Sequence, residues 1–281
     1  MKICVIGNGF IADHLSYHKS DDYFPIDSNY ISHYIEYNKP DVIVNCVGKT
    51  GRPNIDWCES NKEITSATNV AFPILLAEQC AKKSIHLVHV GSGCIFFGES
   101  PNTHKSILQQ KIVYDYGWNE SDFANPKSFY SKTKYSCDLA IQDMDNVSIL
   151  RIRMPISDKN NQRNLINKLR GYQNIIDIPN SVTFVSDFVK CIDWVIKNKV
   201  TGTFHVTNPE PLTAVQVMRE YQKHVPSHKF NIISEAELDK LTAAKRSNCI
   251  LDSTKLNNAG FFLTPTQEAL KECMANYIKN L

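Results

Sequence analysis

The chain has 281 residues, 42% hydrophobic and 21% charged, an ordinary globular composition that argues against a disordered or fibrous protein and suffices for a large core with a smaller lobe. Lys and Arg number 31 against 29 Asp and Glu, and no block of like charges stands out as a nucleic-acid or membrane arm, so an anionic ligand must be met by a few placed cations. The apolar start is too short for a signal segment and no later run approaches the ~18 apolar residues of a membrane span, which makes a cytoplasmic protein the expectation.

Lys2 to Ile6 reads as a strand, followed by a Gly-rich turn and by Phe10-Ile11-Ala12-Asp13-His14-Leu15, whose apolar spacing predicts a helix. The turn, Gly7-Asn8-Gly9-Phe10-Ile11-Ala12, matches G-x-G-x-x-A, in which glycines let backbone amides approach a pyrophosphate and a helix N-terminus adds positive dipole. A plain tight turn is the alternative. About 20 positions on, where an acidic residue binds the adenosine ribose, stands Asp27, with no Arg nearby for a 2′-phosphate; alone, this favours NAD over NADP. Asp41 to Val47 is a strand, with Cys46, Val47 and Gly48 at its end as cofactor contacts. Lys62 to Lys82 is helical and Ile85 to Val90 a strand. Phe129 to Met144 is helical and Val147 to Arg153 a strand, with Met154 and Pro155 beyond it as further cofactor contacts.

Strands separated by helices predict an α/β fold, a Rossmann doubly wound parallel sheet with a smaller mixed α/β lobe. Residues 1–156 form the dinucleotide-binding domain. After a polar stretch from Ser157 to Asn164, a helix to Tyr172 and a turn at Ile178-Pro179-Asn180, the helix Thr183 to Lys197 and strand Thr201 to Val206 return to it, so that 182–207 belongs there. Residues 157–181 and 208–281 make the second lobe, with a ligand cleft between. Nine cysteines, an odd count without a Cys-x-x-Cys pair, indicate a reducing compartment and no metal.

Tyr130 and Lys134 lie four apart and share a helix face, where an ammonium would favour the ionised phenol; an exposed helical pair is the bland reading. Ser92 and Cys94 follow the strand ending at Val90 and, in extended backbone, point to one side. A hydroxyl there could share a substrate carbonyl with Tyr130, and a thiolate could remove a proton beside it.

With these motifs in order, the chain resembles the extended short-chain dehydrogenases, and within them the reductases that finish deoxysugar nucleotides such as dTDP-L-rhamnose and GDP-L-fucose. Residues 51–60, Gly93-Cys94-Ile95-Phe96, Ser128 to Lys134, Arg151 to Ser157, Asp177 to Ser181 and Arg246-Ser247-Asn248 look like the bifunctional UDP-4-keto-6-deoxyglucose 3,5-epimerase/4-reductases of UDP-rhamnose synthesis. The resemblance implies NADPH as cofactor, with Ser92, Tyr130 and Lys134 as the reductase triad and Cys94 and Lys168 as the epimerisation pair. By residue type alone Lys168 is a helix-surface lysine. Arg52, Asn54, Cys94, Arg163, Asn164 and Arg246 are the expected substrate contacts, Arg163 and Arg246 facing the diphosphate or, on the bland reading, forming surface salt bridges. The implied substrate is UDP-4-keto-6-deoxyglucose, made by a separate UDP-glucose 4,6-dehydratase; a homodimer is left open. A reductase acting only on an epimerised 4-keto sugar and a non-catalytic dinucleotide-binding subunit are the alternatives.

Overall fold

In the computed structural model, the described residues are all but 20–24, 102–104, 109, 110, 115 and 116. In chain order the strands are β1 (Ile3–Ile6), β2 (His18–Lys19), β3 (Val42–Asn45), β4 (His86–Ser92), β5 (Lys105–Leu108), β6 (Lys111–Tyr114), β7 (Val147–Ile152), β8 (Pro155–Ile156), β9 (Asn174–Ile176), β10 (Thr183–Phe184), β11 (Gly202–His205) and β12 (Asn231–Ile233). The helices are α1 (Ser28–Asn38), α2 (Asp56–Ser60), α3 (Lys62–Ser66), α4 (Phe72–Lys82), α5 (Phe129–Ile141), α6 (Leu165–Gly171), α7 (Val185–Asn198), α8 (Ala214–His224), α9 (Glu235–Leu241), α10 (Thr254–Asn258) and α11 (Thr266–Lys279).

Among the described residues the main sheet has six strands in the order β11-β7-β4-β3-β1-β2, every pair parallel. Its strands are apolar on both faces because each face is covered. One face packs Val5, Val44, Val88 and Leu150 against Phe188, Ile192 and Val195 of α7. The other packs Ile6, Ile43, Leu87 and Ile149 against Ile31 and Ile35 of α1, Leu76 of α4 and Cys137 and Ile141 of α5. The mostly parallel, helix-flanked sheet is the Rossmann-like arrangement the alternation predicts. A third core joins α6, α8 and α11 around Ile166, Met218, Met274 and Tyr277. No helix among the described residues is long and apolar enough to cross a membrane.

Two local expectations are corrected. The helix predicted over Phe10–Leu15 is a single 3-10 turn, Ala12–His14, ended by Leu15 in extended backbone (φ −90°, ψ 133°). Leu15 and Ala12 are buried by that one turn, His14 Nδ1 closes it on the Phe10 carbonyl oxygen at 2.8 Å, and β2 follows three residues later. So short a turn aligns few peptides, and little helix dipole is available to a pyrophosphate. The helical run over 62–82 contains a π turn at Ala67–Ala71, the kind of bulge that re-aims a side chain. It turns Asn69 inward, where its amide donates to the Lys49 carbonyl oxygen and the Thr133 hydroxyl and accepts from the Lys49 N–H at 2.7 Å.

Candidate active site

The carboxyl ends of β1, β3, β4 and β7 open into a cleft of about 1520 Å³, closed on the far side by α6 and by residues 238–248. A cavity for one drug-sized ligand measures roughly 300–1,000 Å³, so this one has room for two.

At one end lies the Gly-rich turn. Gly7 has φ +107°, and a Cβ there would meet Cys46 C and Val47 N at 3.1 Å, because β1 and β3 are neighbours and their turns touch. Gly9 is the opposite case: a Cβ would meet nothing within 4 Å, so it leaves open backbone facing the cleft. Asn8, Gly9, Phe10 and Ile11 form one side of this cradle and Cys46, Val47 and Gly48 the other, with Met154 and Pro155 further along. Burial pushes the Cys46 thiol up to about 12, so it stays protonated and acts as packing. Asp27 is elsewhere: exposed, it caps α1 by accepting the Tyr30 N–H at 2.9 Å, and it does not line the cleft. The positions directly after β2 are outside the described residues.

At the centre stand Ser92, Cys94, Tyr130, Lys134 and Lys168, all lining the cleft. β4 ends at Ser92, and the backbone from Gly93 to Ile95 is a 3-10 turn rather than extended, so the turn and not a strand face brings Ser92 and Cys94 together; Ser92 Oγ caps it by accepting the Cys94 N–H at 3.2 Å. The Ser131 hydroxyl holds the Cys94 carbonyl oxygen at 2.6 Å, tying that turn to α5. Tyr130, capped into α5 by Ser128, hydrogen-bonds to Ser92. Burial pushes its hydroxyl well above the ordinary phenol range, the Cys94 charge acts the same way, and the Ser92 bond opposes both. The Lys134 ammonium, expected to act on Tyr130, has its hydrogen bonds inward: it donates to the Val90 carbonyl oxygen at 3.2 Å and meets His89 Nε2 at 3.1 Å.

Lys168 is half-buried on the cleft side of α6 rather than at the surface. Burial and the Arg163 charge push its ammonium below the ordinary lysine range, while Cys94 acts in the opposite sense. A lysine so shifted is a better proton donor and acceptor near neutrality than a solvated one.

Of the cations named from sequence, Arg163 lines the cleft and donates to Thr50 Oγ1 at 2.9 Å, and among the described residues no carboxylate pairs with it. Arg52 and Asn54 line the same wall. Arg246 also faces the cleft, but its fork is taken by Asp56, at 2.8 and 2.9 Å. Burial raises the Asp56 carboxyl, yet the Arg246 bonds and the Ala244 N–H outweigh it and hold it below the usual range. Arg246 is therefore first a clamp between 56 and 246, with most of its fork already taken. Asn164 is a second correction: wholly buried, it caps α6 through the Ile166 N–H and donates to the carbonyl oxygens of Ser157 and Lys159, a loop pin that does not line the cleft.

Three residues missed in the sequence support this site: Asn69, His89 and Arg153. A polar residue within an apolar strand was the available signal for His89, and a charged residue directly after one for Arg153; nothing local marks the π turn that aims Asn69.

The RmlD substrate binding domain family matches residues 18–279. A bifunctional dTDP-4-dehydrorhamnose 3,5-epimerase/dTDP-4-dehydrorhamnose reductase of Arabidopsis thaliana is 36% identical over 87% of this chain and 78% of its own length. A trifunctional UDP-glucose 4,6-dehydratase/UDP-4-keto-6-deoxy-D-glucose 3,5-epimerase/UDP-4-keto-L-rhamnose-reductase of the same plant is 34% identical over 85% of this chain, which spans only 35% of that relative. Among solved structures, the UDP-rhamnose synthase of Acanthamoeba polyphaga mimivirus superposes with a TM-score of 0.86 over 98% of this chain and 99% of its own, at 28% identity. A dTDP-4-dehydrorhamnose reductase of Bacillus anthracis, solved in complex with NADP, shares the fold at 19% identity, with a TM-score of 0.81 over 100% of both chains.

Proposed function

We propose, from the premise that this chain belongs to the RmlD substrate binding domain family, that it is an NADPH-dependent oxidoreductase for 4-keto-6-deoxy nucleotide sugars. In full, it epimerises carbons 3 and 5 of UDP-4-keto-6-deoxy-D-glucose and reduces carbon 4, forming UDP-L-rhamnose. The observation that carries this is the convergence of Ser92, Cys94, Tyr130, Lys134 and Lys168 on one cleft whose other end is the Gly7–Ile11 cradle.

The cradle fits a dinucleotide: Gly9 leaves backbone open where a side chain would stand, and Gly7 lets β1 and β3 close beneath it. Asn8 to Ile11 and Cys46 to Gly48 would hold it, and when bound it supplies a hydride for carbon 4. Residues 1–156 with 182–207 receive the cofactor in this reading, and 157–181 with 208–281 the sugar nucleotide.

The chain's own residues do the rest. A carbon-4 ketone acidifies the protons on carbons 3 and 5, so one group that removes each proton and another that returns it from the opposite face inverts both centres. Cys94, on the turn after β4, and Lys168, on α6, are that pair. The Ser92 and Tyr130 hydroxyls hold the carbon-4 oxygen as negative charge develops on it, and Tyr130 protonates it at reduction. Arg163, with Arg52 beside it, meets the diphosphate, where a forked guanidinium matches phosphate oxygens.

A single incubation tests both activities. The protein, UDP-4-keto-6-deoxyglucose and NADPH should oxidise the cofactor and yield UDP-L-rhamnose by NMR. NADPH oxidation with formation of the unepimerised 6-deoxy sugar leaves the reductase alone, and no NADPH oxidation with this or the dTDP-linked substrate sinks the reading. The substrate must be supplied by a 4,6-dehydration of the nucleotide-linked hexose.

A further inference from the structure

A neutral imidazole donates at one nitrogen and accepts at the other, so it can join two segments of a chain when each offers the matching partner. His14 ends the 3-10 turn that follows the Gly-rich cradle. Its Nδ1 lies 2.8 Å from the Phe10 carbonyl oxygen, and its Nε2 lies 2.7 Å from Ser157 Oγ, 143 positions away and directly after β8. A carbonyl oxygen only accepts, so the ring proton is on Nδ1 and Nε2 keeps its lone pair for the Ser157 hydroxyl. Burial pulls the ring below the ordinary imidazole range, against the opposing effect of the Phe10 bond, and leaves it uncharged near pH 7. Ser157 Oγ accepts the Lys159 N–H at 3.1 Å, and its one proton goes to the imidazole, which is nearer than Asp158 Oδ1 at 3.2 Å.

We propose that His14 is a positioning residue that ties the cofactor turn to the loop carrying Arg163, so that a ligand in either place favours a ligand in the other. This rests on the reading above, in which the cradle takes NADPH and Arg163 meets the diphosphate. Phe10 itself lines the cradle, and a second bond, from Lys159 Nζ to the Asp13 carbonyl oxygen at 2.9 Å, runs beside the first. The loop is braced from within. Asn164 Oδ1 accepts the Ser157 N–H at 3.2 Å, and its Nδ2 donates to the carbonyl oxygens of Ser157 and Lys159 at 2.6 and 2.8 Å. Asn161 Oδ1 accepts the Arg163 N–H at 2.8 Å. A position fixed at Phe10 is therefore passed through one ring to Ser157 and along a braced loop to Arg163, and the cost of ordering the loop is met once for both ligands.

The rival role is a plain cap for a short turn, because the His14 ring also packs edge-on against Phe10 with ring centroids 5.1 Å apart. A cap alters NADP⁺ binding alone. A tie alters how much one ligand changes the affinity for the other.

The test measures UDP affinity with and without saturating NADP⁺, two ligands that bind without reacting, by titration calorimetry. In the wild type NADP⁺ should tighten UDP by about 5-fold or more, and UDP should tighten NADP⁺ by the same factor, as linkage requires. His14→Asn keeps a donor for the Phe10 oxygen and loses the reach to Ser157, and Ser157→Ala removes the partner from the other side. Each should bring the factor to within about twofold of one while affinity for NADP⁺ alone stays within about threefold, and the double variant should go no further. Thermal unfolding of each is the stability control. A wild-type factor of one, a factor that survives in either folded variant, or variants that lose NADP⁺ affinity with the factor intact would each overturn the proposal. If His14→Asn does not fold, Ser157→Ala decides, since the bonds of Asn164 to the loop backbone do not involve the hydroxyl. A wild-type protein that binds neither ligand overturns the reading of the cleft itself, whereas one that binds both without coupling overturns only the role of His14.

Discussion

Arg153 Nη1 donates to Sγ of Cys94 across 3.3 Å, from a guanidinium that is 1% exposed. The same group donates to the hydroxyl and the carbonyl oxygen of Ser247, at 2.8 and 2.5 Å, and to Asn180. Among the described residues no carboxylate pairs with it. One side chain at the end of β7 thus binds the 180 turn and the 247 segment to the thiol proposed as an epimerisation group.

Arg153→Met should destabilise the fold by about 2–4 kcal/mol, from leaving the buried acceptors on Asn180 and Ser247 without donors. Urea unfolding measures it. Arg153→Lys keeps a cation but not the fork, so it should slow proton exchange at carbons 3 and 5 more than reduction of an already epimerised substrate.

Cys94→Ser and Lys168→Met should each cut solvent deuterium exchange into carbons 3 and 5 by about 100-fold or more, the scale of a lost acid–base group. Reduction of UDP-4-keto-L-rhamnose should survive in both. Exchange at wild-type rates in both variants would remove this pair from the mechanism.

Gly7→Ala and Gly9→Val should separate fold from cofactor. The first places a Cβ 3.1 Å from backbone at φ +107° and should cost about 1–3 kcal/mol of stability. At Gly9 the added Cβ itself meets no protein atom within 4 Å, so the melting temperature should hold while NADPH affinity falls. Fluorescence titration with NADPH and a thermal scan give both quantities.

Stability should fall on mild acidification. His89 and His205 are wholly buried, and burial pulls both well below the ordinary 6.5. Below pH 6.5 the unfolded chain binds protons that the folded one does not, so their contribution is complete above 6.5 and is lost as pH falls towards the folded values. Each should add a slope of about 1.4 kcal/mol per pH unit in that window. Urea unfolding at several pH values between 5 and 7.5 reads the slope, and His89→Gln should remove one histidine's share.

Much of this architecture could be read along the chain, because the signals were local. The β-branched runs and the helices between them follow from repeats of two and 3.6 residues, and the order of Gly7-Asn8-Gly9, Ser92, Tyr130 and Lys134 survives folding because each sits at a strand end or on a helix face. α1 was overlooked although Ile31 and Ile35 carry the helical spacing, whereas the helix predicted after Gly9 was cut to one turn by the early start of β2. What only the tertiary structure decided were roles set by distant partners. Asp56 takes the fork of Arg246, 190 positions away. Lys134 faces inward because the sheet order sets His89 beside Asn45 and beneath α5. Asp27 and Asn164 are helix caps, since a short polar side chain binds nearby N–H groups before it can reach a ligand. Sequence spacing reports which residues share a turn or a face. Which charge or lone pair is already taken depends on strands and helices brought together from remote parts of the chain, and no local period carries that.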